Sequence, residues 1–211
     1  MLHKISNKSP NILIACLILL TSCSTAMIDN RLKYNENMIL KKISSIDSSF
    51  DALDSLLYVD ISRQNMYLLK KGTLSRIFRI SSSYYGTGSE VNSFKTPLGK
   101  HEIYKKIGKD LPINAILKGR VWNGSIANVI SDDIDTDFDH VTSRILWLDG
   151  LERGKNKGPG VDSRSRYIYI HGTAEEGLIG KPASDGCIRM YNSDVIDLFD
   201  LVDEKIQVWI Y

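Results

Sequence analysis

Residues 166–190, RYIYIHGTAEEGLIGKPASDGCIRM, constrain this chain more than any other stretch. Tyr167, Ile168, Tyr169 and Ile170 form a β-branched and aromatic run that predicts a buried strand, with His171 emerging rigidly at its end. The turn-rich segment Gly172 to Ser184 then brings the chain back. Ile188 and Met190 flank Arg189, an alternation that predicts a second short strand with Cys187 at its mouth. Two neighbouring strand ends align a nucleophile with a base. A thiol attacks as thiolate, and an adjacent imidazole is the usual means of forming one near neutral pH. Gly186 removes a side chain beside the sulfur, so the amides of Gly186 and Cys187 are expected to point at a developing oxyanion.

His171-Gly172-Thr173 and the run Ser184 to Met190, SDGCIRM, resemble the catalytic signature of the YkuD-type L,D-transpeptidases. Thr96, Pro97, Leu98 and Gly99 are similar to the TPxG segment of the same domain, and the resemblance covers Leu57 to Tyr211. It implies a mainly β (α+β) fold, a YkuD-like β-sandwich or barrel with a short helix after the catalytic cysteine. It also implies a cysteine enzyme acting on peptidoglycan tetrapeptide stems, with Cys187 as thiolate and His171 as its protonated partner. The Gly172 carbonyl then orients the imidazole, a thioester forms as D-alanine leaves, and an amine of a neighbouring stem accepts the acyl group. Water as acceptor makes the same site a carboxypeptidase or hydrolase. Asp185 departs from the pattern, standing where most members carry a second histidine. By extended-strand alternation its carboxylate shares a face with the sulfur, where it raises the thiol pKa, caps a turn or attracts the ammonium of an amine substrate. The same departure leaves open a non-catalytic wall-binding lipoprotein. Arg189 reads either as an exposed strand residue or as a clamp for a stem carboxylate, with Ser184 and Asp185 beside it as further substrate contacts.

The chain has the apolar and charged content of a soluble globular protein, 43% and 25%, and its 211 residues support one domain of ordinary size plus a tail. A net charge of +2 gives no reason to expect a nucleic-acid partner. Lys4 and Lys8 precede the apolar run Ile12 to Leu20, which is too short to span a bilayer. Leu20, Thr21, Ser22 and Cys23 resemble a bacterial lipobox. The expected organisation is a signal peptide at 1–22, a lipid-anchored helical linker at 23–56 and a catalytic domain at 57–211. With lipid on Cys23 and Ser24 after it, the resemblance implies periplasmic placement on the outer membrane. Cys16 leaves with the leader, so Cys187 is the free thiol of an exported chain. A monomer without cofactor is expected.

From Asp29 to Leu57, Ile39, Ile43, Ile46, Phe50, Leu53 and Leu57 recur at helical spacing and predict a stalk. Strands are expected at Tyr58 to Ser62, Asn65 to Lys70, Leu74 to Ser81, Lys100 to Tyr104, Arg144 to Leu148 and Lys205 to Tyr211, with Lys71 and Gly72 as a hairpin turn. Ser193 is expected to cap a helix carrying Val195, Ile196, Phe199 and Val202. The Gly-rich segment Gly150 to Arg166 reads as a lid or a plain connection. The acidic run Asp132 to Asp139 fails as an EF-hand counted from Asp133, because Phe138 and Arg144 fall where Gly and Glu are needed. It reads as a solvated loop. His101 and His140 read as structural or solvated, and no zinc-ligand spacing includes His171 and Cys187.

Overall fold

The structure is a computed structural model that describes residues 36–211. The leader, Cys23 and the start of the expected stalk lie outside the described residues. The chain divides into two compact units, Met1–Ser48 and Ser49–Tyr211. In the first, residues 36–46 form helix α1, carrying Ile39, Ile43 and Ile46. The helix expected to reach Leu57 stops there, because Asp47, Ser48 and Ser49 favour local side-chain hydrogen bonds over helix continuation. Ser48–Ala52 is instead a short 3-10 helix, and Ser55–Asp60 is strand β1.

The second unit is built on one sheet. Its strands are β1, β2 (Asn65–Lys70), β3 (Thr73–Ser81), β4 (Gly99–Ile107), β5 (Ala115–Lys118), β6 (Val121–Ile126), β7 (Val141–Gly150), β8 (Tyr169–Thr173), β9 (Ile188–Met190) and β10 (Gln207–Ile210). The order is β4-β10-β1-β2-β3-β9-β8-β7-β5-β6, and β4 also pairs with β7. That last pairing closes eight strands into a ring and leaves β5 and β6 outside it as a hairpin. A closed ring removes the unpaired edges of an open sheet.

Alternation fills the interior. Leu57 and Val59, Met66 and Leu68, Phe78 and Ile80, Leu146 and Leu148, Ile188 and Met190, and Val208 and Ile210 join one buried core with Ile103 and Ile170. Helix α2 (Asn192–Leu201) adds Val195, Leu198 and Phe199 to the same core, and Val202 follows it there. Ser193 does not cap this helix. Tyr191 holds the cap position, and the Asn192 N–H is satisfied by Glu176 Oε1 at 2.8 Å, a carboxylate suited to a helix N-terminus.

The hairpin β2–β3 turns through Lys71 and Gly72, both left-handed, as a type I′ connection requires. The hairpin β5–β6 does the same through Gly119 and Arg120, with φ of 58° and 70°. Strands β8 and β9 run parallel, so residues 174–187 must cross over between them.

The Gly-rich segment after β7 is not a loose lid. Asn156 Nδ2 donates to the carbonyls of Leu98 and Lys100 at 3.0 and 3.1 Å, and the Ser163 hydroxyl meets His101 Nε2 at 2.9 Å. Both Asn156 and Ser163 are buried, which fastens the segment to the ring.

Candidate active site

The register of β8 and β9 places the sequence-predicted pair on one face of the sheet. Ile170 lies opposite Ile188 and His171 opposite Arg189, so extending the ladder by one residue sets Cys187 opposite Tyr169. Ile170 and Ile188 enter the core, and their neighbours Tyr169, His171, Cys187 and Arg189 therefore share the outer face. The side chains of His171 and Cys187 thus stand diagonally across adjacent strands on one face.

His171 is not at the end of its strand as expected. The strand begins at Tyr169, because Tyr167 has a left-handed backbone, φ 57°, and is 52% exposed. His171 thus stands in the middle of β8 and is buried. Its Nδ1 lies 2.7 Å from the Gly172 carbonyl. A carbonyl only accepts, so Nδ1 carries the proton and Nε2 is the basic nitrogen. No hydrogen bond to Nε2 is found among the described residues. Gly172 is required by close packing: a Cβ there would lie 2.6 Å from Asn192 Oδ1 and 2.9 Å from the Thr142 carbonyl.

Cys187 is half-buried. Its sulfur accepts from the Tyr169 N–H at 3.4 Å and donates to the Tyr167 carbonyl at 3.5 Å. Burial pushes the thiol up to about 12, and Asp139 adds to the effect against the Tyr169 N–H, Arg189 and Arg166. Burial also lowers the His171 pKa, although Asp139 and the Gly172 carbonyl oppose it. Burial thus disfavours the charged form of each partner, and a thiolate-imidazolium pair would draw on the Tyr169 N–H, Arg189 and Arg166 for support.

The turn carrying Cys187 is tightly tied. Ser184 is buried, donates to the Cys187 carbonyl at 2.6 Å and accepts the Gly186 N–H at 3.3 Å. It shapes the turn that carries the sulfur. The Gly186 amide, expected to aim at an oxyanion, is turned inward to that hydroxyl. Thr96 donates to the Gly186 carbonyl at 3.1 Å and accepts the Ser83 N–H at 3.0 Å, which gives the TPLG threonine a defined task. Gly186 has φ 115°, a backbone that L side chains rarely adopt.

That φ also breaks the alternation by which Asp185 was placed beside the sulfur. Asp185 is exposed and lines two cavities, of about 230 and 260 Å³. The first is walled by Tyr84, Tyr85, Asp139 and Arg189, the second by Phe94, Arg166 and Tyr167. Burial, then Asp139, raises its pKa.

Arg189 is buried but borders the first cavity. It is 2% exposed, with Nη1 on Glu175 Oε2 and Nη2 on Asp139 Oδ2, both at 2.9 Å. Glu175 also accepts from the N–H and hydroxyl of Thr136, at 2.8 and 2.5 Å. The acidic segment expected to be a solvated loop is thereby pinned to the cysteine strand. A clamp on a stem carboxylate would have to displace Asp139 from the guanidinium. Asp139, Glu175, Asn192 and Thr142 escaped the sequence reading, since only tertiary pairing brings them to the site. Asn192 Oδ1 accepts from Thr142 and Ser143, each at 2.6 Å, and its Nδ2 donates to the Thr173 carbonyl at 2.7 Å. Among the described residues, no group of three or more His, Cys, Asp or Glu is arranged to hold a metal.

A family model for the L,D-transpeptidase catalytic domain, YkuD, matches residues 54–210, most of the chain. This chain belongs to that family. Its β-rich fold agrees with the YkuD assignment. The YkuD protein of Bacillus subtilis (strain 168) is 51% identical over 49 residues, 23% of this chain and 30% of that relative. YqjB of the same organism is 46% identical over 52 residues, 24% of this chain and 28% of that relative. The matched segments thus span less than a third of the length of these curated relatives. An L,D-transpeptidase structure from Mycobacterium smegmatis aligns at 15% identity and a TM-score of 0.45, covering 75% of this chain and 58% of that one.

Proposed function

We propose that this YkuD-family chain is a cysteine-dependent L,D-transpeptidase acting on peptidoglycan tetrapeptide stems. The observation that carries the reading is the imidazole tautomer: Gly172 holds the Nδ1 proton and leaves Nε2 basic on the face that bears the sulfur. His171 Nε2 takes the thiol proton as Cys187 attacks the carbonyl of the third stem residue. The imidazolium then gives that proton to the leaving D-alanine nitrogen, and a thioester remains. In the second half, Nε2 takes a proton from the incoming amine, the amine replaces sulfur at the carbonyl, and the thiolate is reprotonated. Asp185, exposed at the junction of two cavities, attracts the ammonium form of the amine acceptor.

The test is purified protein incubated with disaccharide-tetrapeptide, wild type against Cys187→Ala. Transfer gives a new cross-linked dimer and free D-alanine, both absent from the variant. Tripeptide without dimer would assign hydrolysis instead. No D-alanine release and no acyl adduct on Cys187 would leave a wall-binding protein.

We also infer lipid anchoring at Cys23 on the periplasmic side of the envelope, supported by Lys4, Lys8, the short apolar run and the residues Leu20 to Cys23. Incorporation of a tagged fatty acid in wild type, lost in Cys23→Ala, is the expected result. Equal labelling of both would remove the anchor.

A further inference from the structure

The sulfur of Cys187 is held by two main-chain groups, the Tyr169 N–H and the Tyr167 carbonyl. Neither group is fixed by the β8 ladder alone. Tyr167 lies before the strand, and its φ of 57° is a conformation that a bulky side chain enters only when its surroundings impose it. Its ring is half exposed, so burial does not supply the constraint.

A guanidinium does. Arg120, in the β5–β6 turn, lies 4.8 Å from the Trp147 ring centroid and 5.0 Å from that of Tyr167. Its Nη1 donates to the Tyr169 hydroxyl at 3.1 Å. Trp147 in turn packs on both tyrosines, at 5.8 and 5.9 Å between centroids. One charged side chain thus joins the two residues whose backbone grips the sulfur, and it comes from a hairpin outside the closed ring.

We propose that Arg120 is a positioning residue for the Cys187 sulfur, acting through the rings of Tyr167 and Tyr169. With the stack intact, the Tyr169 N–H stays aimed at the sulfur, where it stabilises the negative charge that develops as the thiol loses its proton. Arg120 itself touches neither sulfur nor imidazole. The inference rests on Cys187 being the nucleophile, but its test does not require the peptidoglycan substrate.

The experiment measures the rate of Cys187 alkylation by iodoacetamide in the full chain as a function of pH, alongside acylation by a carbapenem at increasing concentration. Other charged and titratable groups near the sulfur are Asp139, Arg166, Arg189, Tyr169 and His171, and Arg120→Ala leaves all of them in place. For Arg120→Ala, the alkylation profile is expected to move to higher pH. Saturated acylation is expected to fall about tenfold with half-saturation little changed, the scale of losing one cation–π stack and one charged hydrogen bond. Arg120→Lys keeps the charge without the planar fork and should recover only part of the loss. Trp122→Ala, an exposed residue of the same hairpin, serves as the unaffected control. An unchanged alkylation profile in Arg120→Ala overturns the proposal, and a rise in half-saturation alone would make Arg120 a substrate-binding group. Should Arg120→Ala fail to fold, Tyr169→Phe removes the hydroxyl partner and must show the same shift in smaller measure.

Discussion

His101 and His171 are both buried, and each sets Nδ1 on a backbone carbonyl, of Gly99 at 3.0 Å and of Gly172 at 2.7 Å. Burial lowers the pKa of each. They differ at the other nitrogen. His101 Nε2 is occupied by the Ser163 hydroxyl at 2.9 Å, which locks the segment after β7 to β4. His171 Nε2 has no such partner among the described residues and shares its face with a thiol. One imidazole is a fastener and the other a base, and the distinction lies in a single acceptor site.

The largest effect that tests this contrast is exchange of each histidine for glutamine. His171→Gln should lower the rate of Cys187 acylation on the order of 10²- to 10⁴-fold, the usual share of a general base. His101→Gln should leave that rate nearly intact per folded molecule, while the urea midpoint falls. A comparable catalytic loss in His101→Gln would erase the division of roles.

The next effect is on stability against pH. His101 has its pKa lowered to about 4 in the folded chain, against 6.5 for a free histidine. Between those values the unfolded chain binds the extra proton, so stability is full above pH 6.5 and declines as pH falls towards 4. The contribution is about 3 kcal/mol. Urea unfolding at pH 7 and pH 4.5 should therefore differ by more in wild type than in His101→Gln. Equal differences would mean that His101 is not the group that titrates.

The smallest effect concerns Asp185. Being exposed, it should change acyl transfer to an amine only a few-fold when replaced by Asn, within the scale of a surface charge. Acylation itself should not change. If both half-reactions are identical in Asp185→Asn, the residue has no part in either.

What the sequence made legible follows from where each signal resides. The pairing of Cys187 with His171 was readable because local pattern carries it: a β-prone run, a histidine, a turn-rich return and a Gly-Cys step. Strands β2 and β3 were readable from β-prone runs flanking a turn, and the face of α2 from helical spacing. Hairpin β5–β6 was missed because every residue of β6 is exposed, so burial imposes no alternation on it. The turn at Gly119 and Arg120 was the available clue. The surroundings of the pair were not legible, because Asp139 is held to Arg189 across a sequence distance that no window spans. The pairing of Arg189 with Glu175 and Asp139 was hidden for a related reason, since nothing local announces it.

The pairing of β4 with β7 has one more consequence. Because eight strands complete their hydrogen-bonded circuit without β5 and β6, closure of the barrel does not depend on this hairpin, which is tied to it through β7 and the packing of Leu117 on Ile145 and Tyr169.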